Sequence, residues 1–141
     1  MSFVDKLLIL AVAAQVLLTI AILVLMGRER VPRVLSGEIN VDDIAVERTA
    51  YPLKARLLSN NFDNQFQLPV LFYVGALLAL WTGVPTLVEA VLALGFVVLR
   101  YIHAVIHVTT NAVRQRFAAY VGGLAVLAIF WLVLLVRLLL L

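Results

Sequence analysis

The sequence predicts an all-α integral membrane protein, a bundle of four transmembrane helices, and three observations carry that expectation. Of its 141 residues 65% are hydrophobic and only 13% charged, with a mean hydropathy of +1.10; soluble domains are nearer half apolar and a quarter charged. A spanning helix needs ~20 apolar residues, so four take roughly 80 and leave about 60 for connections and ends. Four apolar runs of that length are present, and the basic residues cluster in two of the three connections. One membrane domain covering residues 1–141 is expected, without internal repeat or low-complexity linker.

Span one covers about 3–26, broken only by Gln15 and Thr19. It is too long for a signal-peptide core and has no convincing cleavage site, so it reads as a retained membrane helix. Span two covers 52–81: its purest apolar stretch is Leu68 to Trp81, and helical polarity carries it back to a first-turn proline, Pro52. About 30 residues make a helix of ~45 Å, which must project beyond a ~30 Å hydrocarbon core. Pro69 should kink it, because proline lacks an amide hydrogen and crowds the carbonyl four residues back, here that of Gln65. Thr82-Gly83-Val84-Pro85 is a tight turn, span three runs over 85–110, and span four over 117–141.

The first connection holds Arg28, Arg30, Arg33, Arg48, Lys54 and Arg56, and the third holds Arg114 and Arg116, whereas the Thr82 to Val84 turn is uncharged. The positive-inside rule therefore puts both basic loops in the cytoplasm and both termini on the outer or lumenal side. A formal charge of +3 does not indicate nucleic acid, since the basic residues form no patch or arm. Zero cysteines exclude disulfides, thiolate metal sites and a protein thiol nucleophile. Thiol chemistry here must come from a ligand.

Spans two and three each carry one polar stripe. Arg56, Asn60, Asp63 and Gln67 are spaced by four, three and four residues, which places them on one helix face. Arg100, His103, His107, Asn111 and Arg114 follow steps of three, four, four and three. Counted from the shared turn, Asp63 lies 18 residues before Trp81 and His103 lies 18 residues after Pro85, so the stripes should meet at one depth. A charge at mid-bilayer costs ~2.5–3.5 kcal/mol even on the lenient insertion scale, so the stripes should face protein, water or ligand rather than lipid.

Mutual satisfaction is one account of these groups, with Arg56 on Asp63 and His103 on a backbone carbonyl. Against it stands the excess of Arg56, Arg100, Arg114 and Arg116 over the single nearby acid Asp63, which favours an anionic ligand. Two histidines one turn apart, without cysteine or a carboxylate pair, make a poor metal site, and no metal is expected. Glu89 reads as a helix-start carboxylate favoured by the dipole. Ala118/Gly122 and Ala119/Gly123 are small-residue pairs suited to close helix packing. One chain cannot easily wrap both stripes, and with those small faces a homotrimer is expected.

Arg56-x-x-x-Asn60-x-x-Asp63 followed by a helix proline, Arg100-x-x-His103-x-x-x-His107, and Arg114 or Arg116 opening span four together resemble the MAPEG family, membrane-associated proteins of eicosanoid and glutathione metabolism. The resemblance spans nearly the whole chain. It implies a homotrimeric four-helix membrane fold with glutathione bound between subunits in the cytoplasmic half. It also implies that Arg56, Asn60, Asp63, Gln65, Arg100, His103 and His107 hold that cofactor, while Arg114 or Arg116 stabilises its thiolate. Two departures stand out: the family glutamate is here Asp63, or Gln65 if proline spacing sets the alignment, and His107 occupies a position where tyrosine is usual.

The chemistry of the ligand agrees with the residues. Two carboxylates, an ammonium and a thiol call for guanidinium forks, an acidic or amide group, and a cation beside sulfur that lowers the thiol pKa. The resemblance therefore implies a glutathione-dependent transferase or peroxidase acting on lipophilic electrophiles or lipid hydroperoxides that enter from the membrane lipids. The alternative is a non-catalytic subunit of the same fold, assembling with itself or a larger complex. A histidine-lined ion conductor lacks an acid–base chain across the outer half.

Overall fold

The computed structural model describes residues 1–140. Five helices follow one another: α1 (Phe3–Leu35), α2 (Leu53–Asn64), α3 (Leu68–Trp81), α4 (Leu87–Val108) and α5 (Val113–Leu140), with a short 3-10 turn at Val41–Ile44. With α2 and α3 taken as one crossing, four segments are long and apolar enough to span a membrane. This is a multi-pass membrane protein.

Each boundary has a local cause. Ser2 caps α1 by accepting from the Asp5 amide while Asp5 accepts from the Ser2 amide, a reciprocal capping box. α1 continues nine residues past the expected end at Met26, to Leu35. Its polar extension is tied by Arg33 and Lys54 to Glu29, at 3.1 and 2.7 Å. Beyond it Ile39, Tyr51 and Ala55 form a small buried cluster, with the Arg30 guanidinium 4.6 Å from the Tyr51 ring centroid. The connection from 36 to 52 is thereby anchored to α1 and α2.

The long second crossing is broken rather than kinked. α2 ends at Asn64 and α3 starts at Leu68, with Gln67 at φ −103°, ψ −107°, outside the helical region. Pro69 explains the change: near the start of a new helix its missing N–H costs nothing, whereas in a continuous helix it would orphan the Gln65 carbonyl. The preceding Asn60-Asn61-Phe62-Asp63-Asn64 run consists of weak helix formers that cannot resist the break. Pro52 is the residue before α2 rather than in its first turn.

Gly83, at φ 75°, makes the turn into α4. α4 begins two residues after the expected Pro85, because Thr86 and Glu89 form a second capping box. At its other end α4 stops at Val108 and α5 starts at Val113, with Asn111 in the left-handed region at φ 47°. Asn111 and Arg114 therefore do not continue the α4 stripe. Arg114 and Arg116 both lie on the first turn of α5, which starts four residues before the expected Phe117.

The core joins Phe72 of α3, Phe96 of α4 and Phe130 of α5, all but inaccessible, with Leu8 and Ala11 of α1 and the alanines 76, 79, 90 and 93 beside them. In a bilayer such packing rests on van der Waals contact, and small residues permit it. At Gly75 a Cβ would lie 2.6 Å from the Phe130 ring, so only glycine fits. Ala119 and Gly123 are buried, Gly123 facing Phe96 and Leu99 of α4, so that small-residue pair serves the bundle itself rather than an outer face. At the end of the bundle formed by the α3–α4 turn, Arg137 of α5 meets the fully buried Glu89 at 2.9 Å and donates to Thr82 at 3.0 Å.

Candidate functional site

A cavity of about 470 Å³ opens at the opposite end of the bundle. Its walls come from three places: Asn60, Asp63 and Asn64 at the end of α2 with Gln67 in the break, His103 and His107 on α4, and Val113, Arg116, Phe117 and Tyr120 on the first two turns of α5. The helix break is what makes this wall. A continuous helix would keep its amides and carbonyls to itself, whereas here the freed groups are served by side chains, as irregular backbone at membrane depth requires.

Arg100, buried on α4, donates from Nη2 to the Asn64 carbonyl at 3.1 Å. Gln65 donates to the Asn61 carbonyl and its Oδ1, at 3.2 and 2.9 Å, and accepts from Gln15 of α1 at 3.0 Å. Asn61 in turn donates to the Ala104 carbonyl at 3.1 Å. α1, the α2 end and α4 are thus laced together just behind the cavity.

Arg116 is held at both ends. Its guanidinium donates to Asn111 Oδ1 at 2.6 Å, and its backbone carbonyl lies 3.1 Å from His103 Nδ1. A carbonyl only accepts, so Nδ1 donates the hydrogen in this contact. His107 stacks edge-on to His103, centroids 5.6 Å apart, and Tyr120 flanks the same ring at 5.8 Å. Neither His103 Nε2 nor His107 Nδ1 has a hydrogen-bond partner among the described residues. The α5 N-terminus adds a positive field at the same wall.

Asn60, Asp63, His103, His107 and Arg116 thus share one cavity, with the two stripes at a common level. Four other expected site residues stand outside its wall. Arg100 and Gln65 are buried behind it, engaged with the helix break. Arg114 is exposed and points elsewhere on the first turn of α5, and Arg56 is half-buried one turn before Asn60. Asn64, Tyr120 and Arg48 were not singled out in the sequence. Asn64 adjoins the polar stripe and Tyr120 falls one turn after Arg116, both readable signals; Arg48 lies in an irregular loop and offers none.

Arg48 grips the cavity acid directly. Its two guanidinium nitrogens donate to the Asp63 carboxylate at 2.6 and 3.2 Å, and the carboxylate holds the guanidinium above its ordinary pKa range. Asp63 is thus paired with Arg48 and not with Arg56, the partner that mutual satisfaction within the stripe would have given it.

A four-span helical bundle with a broken second crossing and a polar, ionisable cavity at its basic end defines a multi-pass membrane protein. The MAPEG family model matches residues 8–136, and the chain belongs to the MAPEG family, membrane proteins of glutathione and eicosanoid metabolism. It has no significant match among curated proteins or among solved structures.

Proposed function

We propose that this protein is an integral-membrane, glutathione-dependent transferase or peroxidase acting on lipophilic electrophiles or lipid hydroperoxides. The observation that carries the reading is Arg116: a guanidinium fixed on a helix N-terminus, in a cavity whose α5 wall otherwise consists of Val113, Phe117 and Tyr120. A thiol brought beside it ionises more readily, because a cation and a helix N-terminus both favour thiolate. The apolar neighbours receive a lipophilic cosubstrate at the sulfur, and Asn60, Asp63, Asn64 and Gln67 offer amide and carboxylate partners to the peptide. With no cysteine in the chain, the nucleophile is the ligand's. Family membership supports glutathione as that ligand.

The assembly proposed is a homotrimer with glutathione between subunits. What supports it is Arg56, whose buried Nε has no partner among the described residues and whose side chain stands outside its own cavity wall. The basic connections are placed in the cytoplasm and both termini on the outer or lumenal side, on the positive-inside rule.

Titration calorimetry of the purified protein in mild detergent, with a conjugation assay on an aromatic electrophile and a lipid hydroperoxide assay in parallel, tests the reading. Glutathione binding with either activity is the expected result. Binding without turnover, or no binding at millimolar concentration, replaces the enzyme with the non-catalytic subunit of the same fold.

A further inference from the structure

Among the described residues Asp63 is the only acid in the cavity wall, and Arg48 already holds it in a two-pronged contact. Arg48 is not a stray surface side chain. Its backbone carbonyl accepts from the Tyr51 amide at 3.1 Å, closing a turn, and Tyr51 is 3% exposed, fixed in the small cluster with Ile39 and Ala55 beneath the Arg30 guanidinium. The turn aims the guanidinium at the cavity mouth from a fixed base. Its two partners stay reachable, with side chains 41% and 50% exposed.

An anion–cation pair at the rim of a cavity is matched by one kind of ligand group above others, a zwitterion with ammonium and carboxylate on a single carbon. Such a head inserts by exchanging one ion pair for two, its ammonium to the carboxylate and its carboxylate to the guanidinium fork. Exposed pairs contribute little to stability, so opening this one is no obstacle, while a planar fork on carboxylate is a strong, directional contact. We propose that Arg48 is a further ligand-binding residue, its guanidinium fork taking the carboxylate of the ligand's α-amino-acid head while Asp63, the helix-two acid already expected to hold the ligand, faces the ammonium. This rests on the glutathione reading and deepens it. The γ-glutamyl residue carries that zwitterion at the end remote from the thiol, and Arg116, the thiol's partner, lies across the cavity on α5. Arg48 is thereby a specificity-determining residue, contributed by a loop rather than by a membrane helix.

Calorimetry on the full chain in detergent, with glutathione and two analogues, tests the assignment. One analogue lacks the α-carboxylate of its γ-glutamyl residue (4-aminobutanoyl-cysteinylglycine); the other lacks only the α-amino group. R48Q should weaken glutathione about tenfold yet leave the decarboxylated analogue within about twofold of wild type. D63N should do the converse, weakening glutathione and sparing the deaminated analogue. R48K, which keeps the charge and loses the fork, should fall between wild type and R48Q. Melting temperature and elution volume, read on each variant, separate binding loss from misfolding, and the D63N arm stands by itself. R48Q binding glutathione as tightly as wild type, or losing equally on both peptides, overturns the assignment alone. A wild-type protein that binds none of the three overturns the glutathione reading and this assignment with it.

Discussion

The Nη2 of Arg100 lies 3.1 Å from the carbonyl oxygen of Asn64, so a cation on α4 closes the last turn of α2 where the second crossing breaks. Arg100 is 1% exposed and makes no ion pair with a carboxylate among the described residues. The negative end of the α2 dipole supplies its counter-field, which is how a guanidinium is tolerated in the bundle interior.

Arg100→Leu should therefore leave the Asn64 carbonyl buried without its donor. The expected cost is ~1–3 kcal/mol, the desolvation penalty of an unsatisfied polar group, seen as a lowered midpoint of thermal unfolding in detergent. Arg100→Lys, which keeps a donor and a charge, should recover part of the loss.

Glu89 and Arg137 form a pair at the other end of the bundle, with side chains 0% and 10% exposed. Arg137→Met should cost ~3–5 kcal/mol by stranding a buried carboxylate. The double variant Glu89→Gln/Arg137→Met should be more stable than Arg137→Met alone, since glutamine keeps the cap on Thr86 without the charge. Denaturation in mixed detergent micelles reads both, and a double variant worse than the single one would contradict a pairing role.

Two glycines within membrane helices should respond with opposite sign. Gly75→Ala puts a Cβ 2.6 Å from the Phe130 ring and 3.2 Å from Trp131, an overpacking worth ~1–3 kcal/mol of destabilisation. At Gly95 the nearest atom to a new Cβ is 3.8 Å away, so Gly95→Ala should stabilise α4 by ~0.5–1 kcal/mol through backbone entropy alone. Melting temperatures of the two variants, compared under one condition, check the contrast.

Arg116→Leu should remove the ultraviolet absorbance of bound thiolate and most of the conjugation rate, with glutathione affinity changed less than tenfold, roughly 1.4 kcal/mol. Arg114→Leu, on the exposed side of the same turn, should leave both near wild type. Equal loss in the two variants would remove Arg116 from its proposed role at the sulfur.

Orientation is open to direct labelling. Cysteines introduced singly at Ser36 and Val84, both exposed and at opposite ends of the bundle, should react with an impermeant reagent from opposite sides of sealed vesicles. Reaction of both from one side would refute the topology.

Hydropathy and the spacing of Asn, Asp and His determined the number of crossings and the meeting of Asn60 and Asp63 with His103 and His107 at one level, because both signals are local. A charge buried in a bilayer is expensive wherever the chain goes, and helical rise turns residue count into depth. The Thr86 and Glu89 cap was equally legible, since its partners are three residues apart. The break at 65–67 was visible only as a proline kink: whether a helix bends or parts depends on what serves its freed carbonyls, and Arg100 stands 36 residues away from Asn64. Arg48 reaches Asp63 across 15 residues by way of an irregular loop, and Arg116 rather than Arg114 enters the cavity through its place on the first turn of α5. Those choices were made by the tertiary structure, because one residue's step around a turn, or the course of an irregular loop, leaves no periodic mark in a sequence.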